Sequence, residues 1–467
     1  MNILIAMDSF KGSLTSMQAG DAVREGILRV DSNANVIVRP LADGGEGTVQ
    51  ALVDGMGGEL VSVRVTGSLG EEVCCEYGII QFKNCVDCNH NKGKTDIYEA
   101  ALPGEICAII EIAGAAGLTL VPESKRNPMY TTTYGVGEVI RDAIGRGCRH
   151  FIIGIGGSAT NDGGVGMMQA LGVHFLDREG NEIERGGAGL ERLKSIDTSH
   201  MLPELSECKF RIACDVDNPL CGENGCSAVF APQKGAFKED IMKMDKWLSH
   251  YKELVLKSLK TATHVHVIDA ELSKDSLPIE KARMVVDNMN TDHPSDGAAG
   301  GLGFAFRTFL HGELVSGSRL IIEETGLKDY IEKADIIITG EGCLDGQTVM
   351  GKAPISVARL AKECNNADKV KKVIAFAGRL GDGVEKCLLH GIDAYYAIEY
   401  DDYLHKDIEC REVELQNIVN ESLNEDRSSN QKYMTIPDDV MKPEIAGKFL
   451  ADTVEKVFRK EGLSDVN

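Results

Sequence analysis

Six short segments of the chain contain the side chains that could carry out chemistry. Each combines carboxylates, hydroxyls or basic groups with glycines, and most follow an apolar run directly. The six are 7-MDSFKGS-13, 42-ADGGEGT-48, 123-ESKRNPMYTTTYG-135, 154-GIGGSATNDGGVGM-167, 213-ACDVDNPLCG-222 and 339-TGEGCLDGQTVMGK-352. Each one alone is compatible with an ordinary capped turn or a solvated loop. Together they place acids, bases and backbone amides near the ends of apolar segments. Because glycine lets the backbone approach a ligand closely, this combination is typical of a ligand site.

Phosphoryl transfer is the reaction that best fits this mixture. It needs amides and cations that hold phosphate oxygens, carboxylates that hold Mg²⁺, and one carboxylate that accepts the proton of the attacking hydroxyl. Hydride transfer needs a dinucleotide groove and an acid–base residue, but not this many carboxylates. The chain contains neither a G-x-x-x-x-G-K-[ST] loop nor H-R-D and D-F-G motifs, so neither common kinase architecture is indicated.

A competing interpretation is that residues 154–177 form a dinucleotide-binding fingerprint. The stretch 154-GIGGSA-159 fits G-x-G-x-x-G/A, and an apolar run ends in an acid about 20 residues later. In that fingerprint the helix begins within the glycine motif, whereas here 160-TNDGG-164 follows. Asp162 would also repel a pyrophosphate unless a metal intervened. A metal-assisted phosphate site is favoured, and an NAD(P)-dependent oxidoreductase remains the weaker alternative.

The elements that must position these segments alternate between strand-like and helix-like patterns. Apolar runs such as 2-NILIAM-7, 151-FIIGI-155 and 334-ADIIITGEG-342 are interleaved with helical segments such as 15–30 and 353–365. Near-continuous apolar strands in such an alternation predict an α/β protein with mainly parallel sheets. Ligands of these sheets bind beyond the carboxyl ends of the strands, where most of the glycine-containing segments fall.

Length, charge and composition limit the class of protein. At 467 residues the chain is long enough for two domains. A formal charge of −22 argues against nucleic acid and anionic membranes as partners, but it leaves a small anionic substrate open. The sequence shows no long apolar span and no basic leader before the first strand, so we expect a cytoplasmic protein.

The cysteines give no strong signal. The chain has 14 of them without the spacing of a disulfide framework, and we expect reduced thiols. Cys85, Cys88 and His90 are three possible zinc ligands, but a single C-x-x-C pair is weak evidence for a metal site.

Eight segments resemble the type-1 glycerate kinases, the family of bacterial D-glycerate 2-kinases. They occur in the family's order and span nearly the whole chain. They are 8-DSFKGSL-14, 40-PLADGGEGT-48, 131-TTTYGVGE-138, 154-GIGGSATNDGG-164, 214-CDVDNPLCG-222, 229-VFAPQKGA-236, 297-GAAGGLG-303 and 339-TGEGCLDGQT-348. The resemblance implies ATP- and Mg²⁺-dependent phosphorylation of D-glycerate, with the 2-hydroxyl favoured and 2-phosphoglycerate and ADP as products. A 3-phosphoglycerate-forming kinase and a non-catalytic sugar-acid sensor are the alternatives.

The resemblance also implies two three-layer α/β domains with the active site in the cleft between them. We assign residues 1–82 plus 297–467 to a Rossmann-like domain built from both chain ends, and 105–296 to an inserted second domain. Residues 83–104 and 402–437 are expected to be surface insertions. A homo-oligomer is possible, and the sequence does not decide its state.

Residue chemistry and the motif matches together predict the site. The predicted catalytic residues are Asp8, Lys11, Asp43 and Asp162, with Asp8 or Asp43 as the first candidate for the base. The predicted substrate-binding residues are Ser9, Glu46, Arg126, Thr132, Ser158 and Asn161. Gly156, Gly157, Gly340, Glu341, Gly342 and Asp345 are expected to contact ATP, and Asp215 and Glu341 to bind the metal. Lys11 and Arg126 are expected to counter the substrate's charge, because an anion in so acidic a protein needs local cations.

One position departs from the family within a site segment. Relatives usually carry a basic residue where Cys343 stands. If that basic residue contacts phosphate, its loss lowers affinity unless another lysine or arginine takes its place.

Overall fold

The structure is a computed structural model that describes residues 1–81, 105–271, 293–365, 370–398 and 442–462, with side chains of the helix over 238–271 described as far as residue 258. The chain forms two compact units. Unit 1 comprises residues 1–43, 50–57 and 318–467, and unit 2 comprises 44–49 and 58–317. The predicted insertions at 83–104 and 402–437 lie outside the described residues, as do Cys85, Cys88 and His90.

The strands in chain order are β1 (Asn2–Met7), β2 (Asn35–Val38), β3 (Glu59–Thr66), β4 (Glu72–Gln81), β5 (Ile106–Glu111), β6 (His150–Gly154), β7 (His174–Leu176), β8 (Ser195–Asp197), β9 (Lys209–Ala213), β10 (Glu313–Val315), β11 (Ile336–Leu344), β12 (Lys372–Leu380) and β13 (Ala394–Ala397). The described α-helices are α1 (Ser16–Val30), α2 (Thr48–Met56), α3 (Ala113–Ala116), α4 (Tyr134–Gly145), α5 (Val165–Ala170), α6 (Cys226–Phe230), α7 (Lys238–Glu271), α8 (Ala298–Phe309), α9 (Gly317–Glu324), α10 (Leu327–Lys333), α11 (Ala353–Glu363) and α12 (Pro443–Lys460).

Unit 1 is built around an all-parallel sheet in the order β13-β12-β11-β1-β2. Alternate residues of β1 point to opposite faces. Ile3 and Ile5 pack with α1 and α12, whereas Leu4 and Ala6 pack with α10 and α11. The apolar stretch predicted as a strand is therefore buried on both sides, as expected for the middle of a three-layer α/β unit.

The strand order of unit 1 reverses at β1. The chain runs from β1 outward to β2 and later returns on the other side of β1 as β11, followed by β12 and β13. In open parallel sheets, ligands bind outside the carboxyl ends of the strands at such a switch point. The residues that follow β1 and β11 are therefore expected to contact a ligand.

Unit 2 contains a mixed six-stranded sheet in the order β10-β9-β6-β5-β4-β3. Strands β5, β6, β9 and β10 are parallel, whereas β3, β4 and β5 are joined by antiparallel pairing. One large apolar core fills the unit and includes Phe151, Phe210 and Phe306. The prediction of an α/β fold with mainly parallel sheets is confirmed.

The compact units divide the chain differently from the predicted domain boundaries. The hairpin over β3 and β4 was assigned to the domain of the chain ends, but β4 pairs with β5 and extends the sheet of unit 2. Likewise, α8 and β10 belong to unit 2, because β10 pairs with β9 and Phe306 of α8 packs on Phe210. Among the described residues, no helix has the length and apolar composition needed to cross a bilayer.

Candidate active site

Asp8 lies at the carboxyl end of β1, at the switch point of unit 1. Its backbone N–H donates to the carbonyl of Gly340 in β11 at 2.8 Å, which fixes its position between the two strands. The side chain is 7% exposed, and its Oδ1 accepts from the N–H of Ser9 at 2.7 Å. Asp8 is thus a nearly buried carboxyl group held by few donors.

The electrostatic surroundings of Asp8 are mostly negative. Burial raises the pKa of Asp8 from 3.8 to about 7, and the charges of Asp43 and Glu341 add to that rise. Lys11, whose Nζ lies 3.9 Å from Oδ2 of Asp43, opposes it. A carboxyl group with a pKa near the working pH can accept a proton from a hydroxyl and release it again.

Glu341 lies in β11 and Asp345 directly follows that strand, and the Thr348 hydroxyl contacts both residues. The Thr348 hydroxyl donates to Glu341 Oε1 at 2.8 Å, and Lys352 donates to Oε2 at 3.3 Å. Burial raises the pKa of Glu341, and Lys352 and Thr348 work against that rise. Asp345 accepts from the N–H groups of Gln347 and Thr348 at 2.8 and 3.2 Å, so it caps the turn.

Gly340 and Gly342 were predicted to contact ATP, and that contact stays a prediction. Both glycines belong to strand β11, and Gly340 pairs in register with Phe376 of β12. A side chain at Gly340 would meet the Phe376 carbonyl oxygen at 1.9 Å, so close strand packing explains this glycine. Strand β11 continues to Leu344, and the backbone N–H groups of the next four residues, 345–348, are already hydrogen-bonded within the protein.

In unit 2, the loop of residues 44–49 lies against the carboxyl ends of the parallel strands. Gly44 has a φ of +83°, and a side chain there would meet Ala213 at the end of β9 at 2.4 Å. Glu111, the last residue of β5, accepts from the N–H of Val49 at 2.8 Å, and burial raises its pKa. This anchoring leaves Glu46 exposed at the tip of the loop.

In the glycine loop after β6, the two glycines predicted to contact ATP are exposed to solvent. Gly156 and Gly157 are both exposed, and a Cβ at Gly156 would lie 3.6 Å from Gly45 of the anchored loop. Ten residues separate the end of β6 at Gly154 from the start of α5 at Val165. The helix does not start within the glycine motif, which contradicts the dinucleotide-binding interpretation.

Ser158, in the same loop, contacts a buried lysine. Lys234 donates from Nζ to the Ser158 hydroxyl at 2.8 Å and to the Thr160 carbonyl at 2.7 Å. Burial lowers the pKa of Lys234 to about 8, whereas the charges of Cys226 and Asp162 act in the opposite direction. The next residue, Gly235, packs on Arg126, since a Cβ there would lie 2.2 Å from the Arg126 carbonyl oxygen.

Asp162, Asn161 and Thr132 form internal hydrogen bonds in this geometry, and their predicted catalytic and substrate-binding roles stay predictions. Asp162 is fully buried, and its carboxylate accepts from the backbone N–H and hydroxyl of Thr133 at 2.8 and 2.9 Å and from the N–H of Gly164 at 3.1 Å. Asn161 is fully buried and donates to Ser227. Thr132 is buried and accepts from the N–H of Tyr134. The three side chains have little or no exposed surface in this structure.

The predicted metal ligands differ in their surroundings. Asp215 is exposed just after β9, and its Oδ1 accepts from the N–H of Gly317 at 2.9 Å. Glu341 already accepts from Thr348 and Lys352. In the described part of the chain, no three His, Cys, Asp or Glu side chains cluster as a preformed metal site. Each carboxylate by itself nonetheless fits Mg²⁺, because this ion commonly binds one or two carboxylates together with substrate phosphates.

Four residues with notable contacts were missed by reasoning from sequence. Thr348 and Lys352 hold Glu341, Glu111 anchors the 44–49 loop, and Lys234 holds the loop at Ser158. Lys234 lies in the segment 229–236, and Thr348 and Lys352 lie in the segment 339–352. The sequence therefore indicated these segments as part of a site, but not these three residues. Glu111 gave only a weak signal, an acid at the end of an apolar strand.

An open parallel sheet with carboxylates, a lysine and a capped turn at its switch point defines an α/β protein with a candidate ligand site at that edge. Comparison with known proteins specifies it further. The glycerate kinase family profile matches residues 3–422. The chain belongs to the glycerate kinase family and is an enzyme of the kinase type.

Individual relatives agree with this assignment. The chain is 42% identical to a glycerate kinase of Halalkalibacterium halodurans over 396 residues, which cover 85% of this chain and 90% of that protein. It is also 42% identical to glycerate 2-kinase of Escherichia coli K12 over 398 residues, covering 85% and 90%. A crystal structure of a Salmonella typhimurium LT2 protein assigned as glycerate kinase 2 is similar, with a TM-score of 0.73, 34% identity and coverage of 99% and 98%.

Proposed function

We propose that this protein transfers the γ-phosphoryl group of ATP to the 2-hydroxyl of D-glycerate, giving 2-phosphoglycerate and ADP. The observation that carries the proposal is the group of Asp8, Asp43, Lys11 and Glu341 at the switch point of the unit 1 sheet. The 2-position is supported by the name of the Escherichia coli relative, glycerate 2-kinase. The 3-hydroxyl is the second candidate, because a shift of one carbon in the substrate pose leaves no mark on the residues.

Asp8 is the proposed general base of this reaction. Its nearly buried carboxyl group has a pKa of about 7, which suits transient acceptance of the hydroxyl proton. Asp43 is the alternative base, and its contact with Lys11 supports a role in orienting that cation. Lys11 is 66% exposed in its side chain and is proposed to meet the carboxylate or phosphate oxygens of the substrates.

Mg²⁺ is proposed to bind with ATP, and the candidate ligands from the protein are Glu341 in unit 1 and, as a separate candidate, Asp215 in unit 2. When bound, the ion would supply charge neutralisation of the phosphate oxygens. In unit 2, Ser158, Gly156, Glu46 and Arg126 are the proposed substrate and phosphate contacts. Cys148 and Cys226 are buried thiols that form no disulfide, which supports the proposed cytoplasmic location.

Incubation with D-glycerate and MgATP, followed by phosphorus NMR of the product, tests activity and position together. We expect one phosphate monoester, at carbon 2, and no product with EDTA. The variants Asp8→Asn, Asp43→Asn and Lys11→Ala should each be slower, and near-wild-type rates in all three would contradict the proposed site. An NAD(P)-dependent oxidoreductase predicts NADH binding without ATP binding, and a non-catalytic sensor predicts D-glycerate binding without turnover.

A further inference from the structure

A small cavity at the carboxyl ends of β11 and β12 contains two basic side chains that the proposed chemistry has not used. The cavity measures about 330 Å³, and it lies wholly within unit 1. Its wall consists of Cys343, Asp345, Gly346, Gln347, Arg379, Leu380, Gly381, Asp382 and Lys386. Its volume is at the lower end of the range of small-molecule sites, roughly 300–1,000 Å³.

Arg379 and Lys386 are both exposed, and neither forms a hydrogen bond or ion pair with the described residues. The chain as a whole carries a formal charge of −22, and cations such as Arg29 and Lys362 pair with carboxylates. Arg379 and Lys386 line one cavity without such a partner among the described residues. They leave room for an anionic group to complete the pairing.

Two carboxylates, Asp345 and Asp382, share the wall with these cations. Asp345 uses Oδ1 to accept the N–H groups of Gln347 and Thr348, so that oxygen is held by the turn. Asp382 has a partner of its own. The turns on either side are held together, because Gly346 donates to the Asp382 carbonyl at 2.8 Å and Gly381 donates to the Leu344 carbonyl at 2.7 Å. The wall of the cavity is thus preformed.

Strand register places Arg379 directly beside Cys343. The two residues are paired across the parallel strands β11 and β12, so their side chains leave the sheet on the same face. Cys343 contributes only a thiol, whose Sγ lies 4.0 Å from Asp345 Oδ2. The cation at this edge of the sheet therefore comes from β12 and not from β11.

We propose that this cavity binds the phosphate chain of the nucleotide, with Arg379 as its principal cation and Lys386 as the second. This inference rests on the proposed function and names the phosphate subsite of the same reaction. A nucleotide is favoured over D-glycerate, because the cavity exceeds what a three-carbon acid fills and lies at the strand ends where open sheets bind nucleotides. Arg379 supplies the positive charge that the Cys343 thiol does not provide at this edge of the sheet.

Direct binding of ADP, measured by isothermal titration calorimetry, tests the subsite without relying on turnover. Arg379→Gln should raise the Kd for ADP by roughly 10-fold, because a hydrogen-bonded charge pair is lost. In kinetics, the KM for ATP should rise more than kcat falls, while the KM for D-glycerate stays within about twofold. Arg24→Gln is the matched control, since Arg24 is an exposed cation of unit 1 paired with Asp21.

The double variant C343R/R379C moves the cation one strand across at the same register. It should recover most of the ADP affinity lost in Arg379→Cys alone, which a general loss of folding would not do. An unchanged Kd for ADP in Arg379→Gln would overturn the proposal. So would a rise in the KM for D-glycerate with an unchanged KM for ATP, because the cavity would then hold the acid.

The two proposals can fail separately. If the wild type binds ADP in an Arg379-dependent manner but does not phosphorylate D-glycerate, the proposed function fails and the subsite stands. If D-glycerate is phosphorylated and Arg379→Gln behaves as wild type towards ADP and ATP, only the subsite is wrong.

Discussion

At the scale of single residues, Asp8 has a raised pKa that suits proton transfer, and its buried negative charge lowers the stability of the folded state. The chain brings a third carboxyl group close to Asp43 and Glu341 and buries it, and both factors raise its pKa to about 7. Most buried carboxylates in this protein are instead surrounded by donors, as Asp162 is by Thr133 and Gly164. A poorly satisfied acid beside an exposed lysine is typical of a functional position.

Replacing Asp8 by asparagine should lower kcat by roughly 100-fold or more, because a general base contributes about 10²–10⁴-fold. Asparagine keeps the size of the side chain and can still accept from the Ser9 N–H. Initial rates at saturating D-glycerate and MgATP measure the effect. Asp21→Asn, an exposed acid of the same unit paired with Arg24, is the control and should retain wild-type kcat. Equal kcat in the two variants would exclude Asp8 as the base.

At the scale of elements, the buried clamp at Asp162 connects the starts of two helices. Its carboxylate accepts from Thr133, which precedes α4, and from Gly164, which precedes α5. The Thr133 hydroxyl in turn accepts from the N–H of Met167 at 2.9 Å. Hydrogen bonds from these otherwise unpaired N–H groups fix both helix starts relative to the glycine loop.

Thr133→Val should destabilise unit 2 by roughly 1–3 kcal/mol, because it leaves a buried N–H and a buried carboxylate without the hydroxyl. Thr133→Ser retains the hydroxyl and is the matched control, with an expected loss below about 1 kcal/mol. Trp247, the single tryptophan, packs against the core of unit 2, so its fluorescence in urea follows this unit. If the valine variant unfolds at the wild-type urea concentration, the clamp does not stabilise the unit.

The elements themselves were largely predictable, and the pairing between distant elements was not. Helix α1 begins after Thr15, whose capping box with Gln18 is a local signal, and α12 begins at Pro443 as its sequence indicates. The hairpin of β3 and β4 was also predicted. Its assignment to the wrong domain arose because sequence proximity gives no information on which distant strand, here β5, completes a sheet.

The same distinction applies to the site. Asp8 could be predicted because an acid directly after a buried strand lies at the ligand edge of a parallel sheet. The burial of Asp162 could not be predicted, because a glycine-rich segment gives no sign of which of its side chains turns inward. The cation beside Cys343 depended on the register of β11 and β12, which only the three-dimensional structure provides.

At the scale of the whole molecule, proton binding connects the site to stability. Burial raises the pKa values of Asp8, Glu111, Asp162 and Glu341 above their ordinary range. Carboxylates with lowered pKa values, such as Asp177 and Glu455, belong to pairs with exposed arginines, which contribute less to stability. Between the ordinary and the raised pKa values the native state binds more protons than the unfolded chain, so its stability falls as pH rises.

Asp8 should account for a measurable part of this loss of stability as the pH rises. Its pKa rises from 3.8 in the unfolded chain to about 7, so its destabilising effect is absent below pH 4 and complete above pH 7. In metal-free protein, Asp8→Asn should therefore match the wild type near pH 4 and be more stable at pH 8 by roughly 2–4 kcal/mol. Hydrogen exchange of peptides from β1 and β11, compared between variant and wild type at each pH, measures this difference locally.

A constant difference across that range would mean that Asp8 titrates normally, and a variant less stable at pH 8 would show that the carboxylate is held by a cation. Greater stability combined with lost turnover would establish that the sheet of unit 1 retains an unfavourable charge for the sake of catalysis.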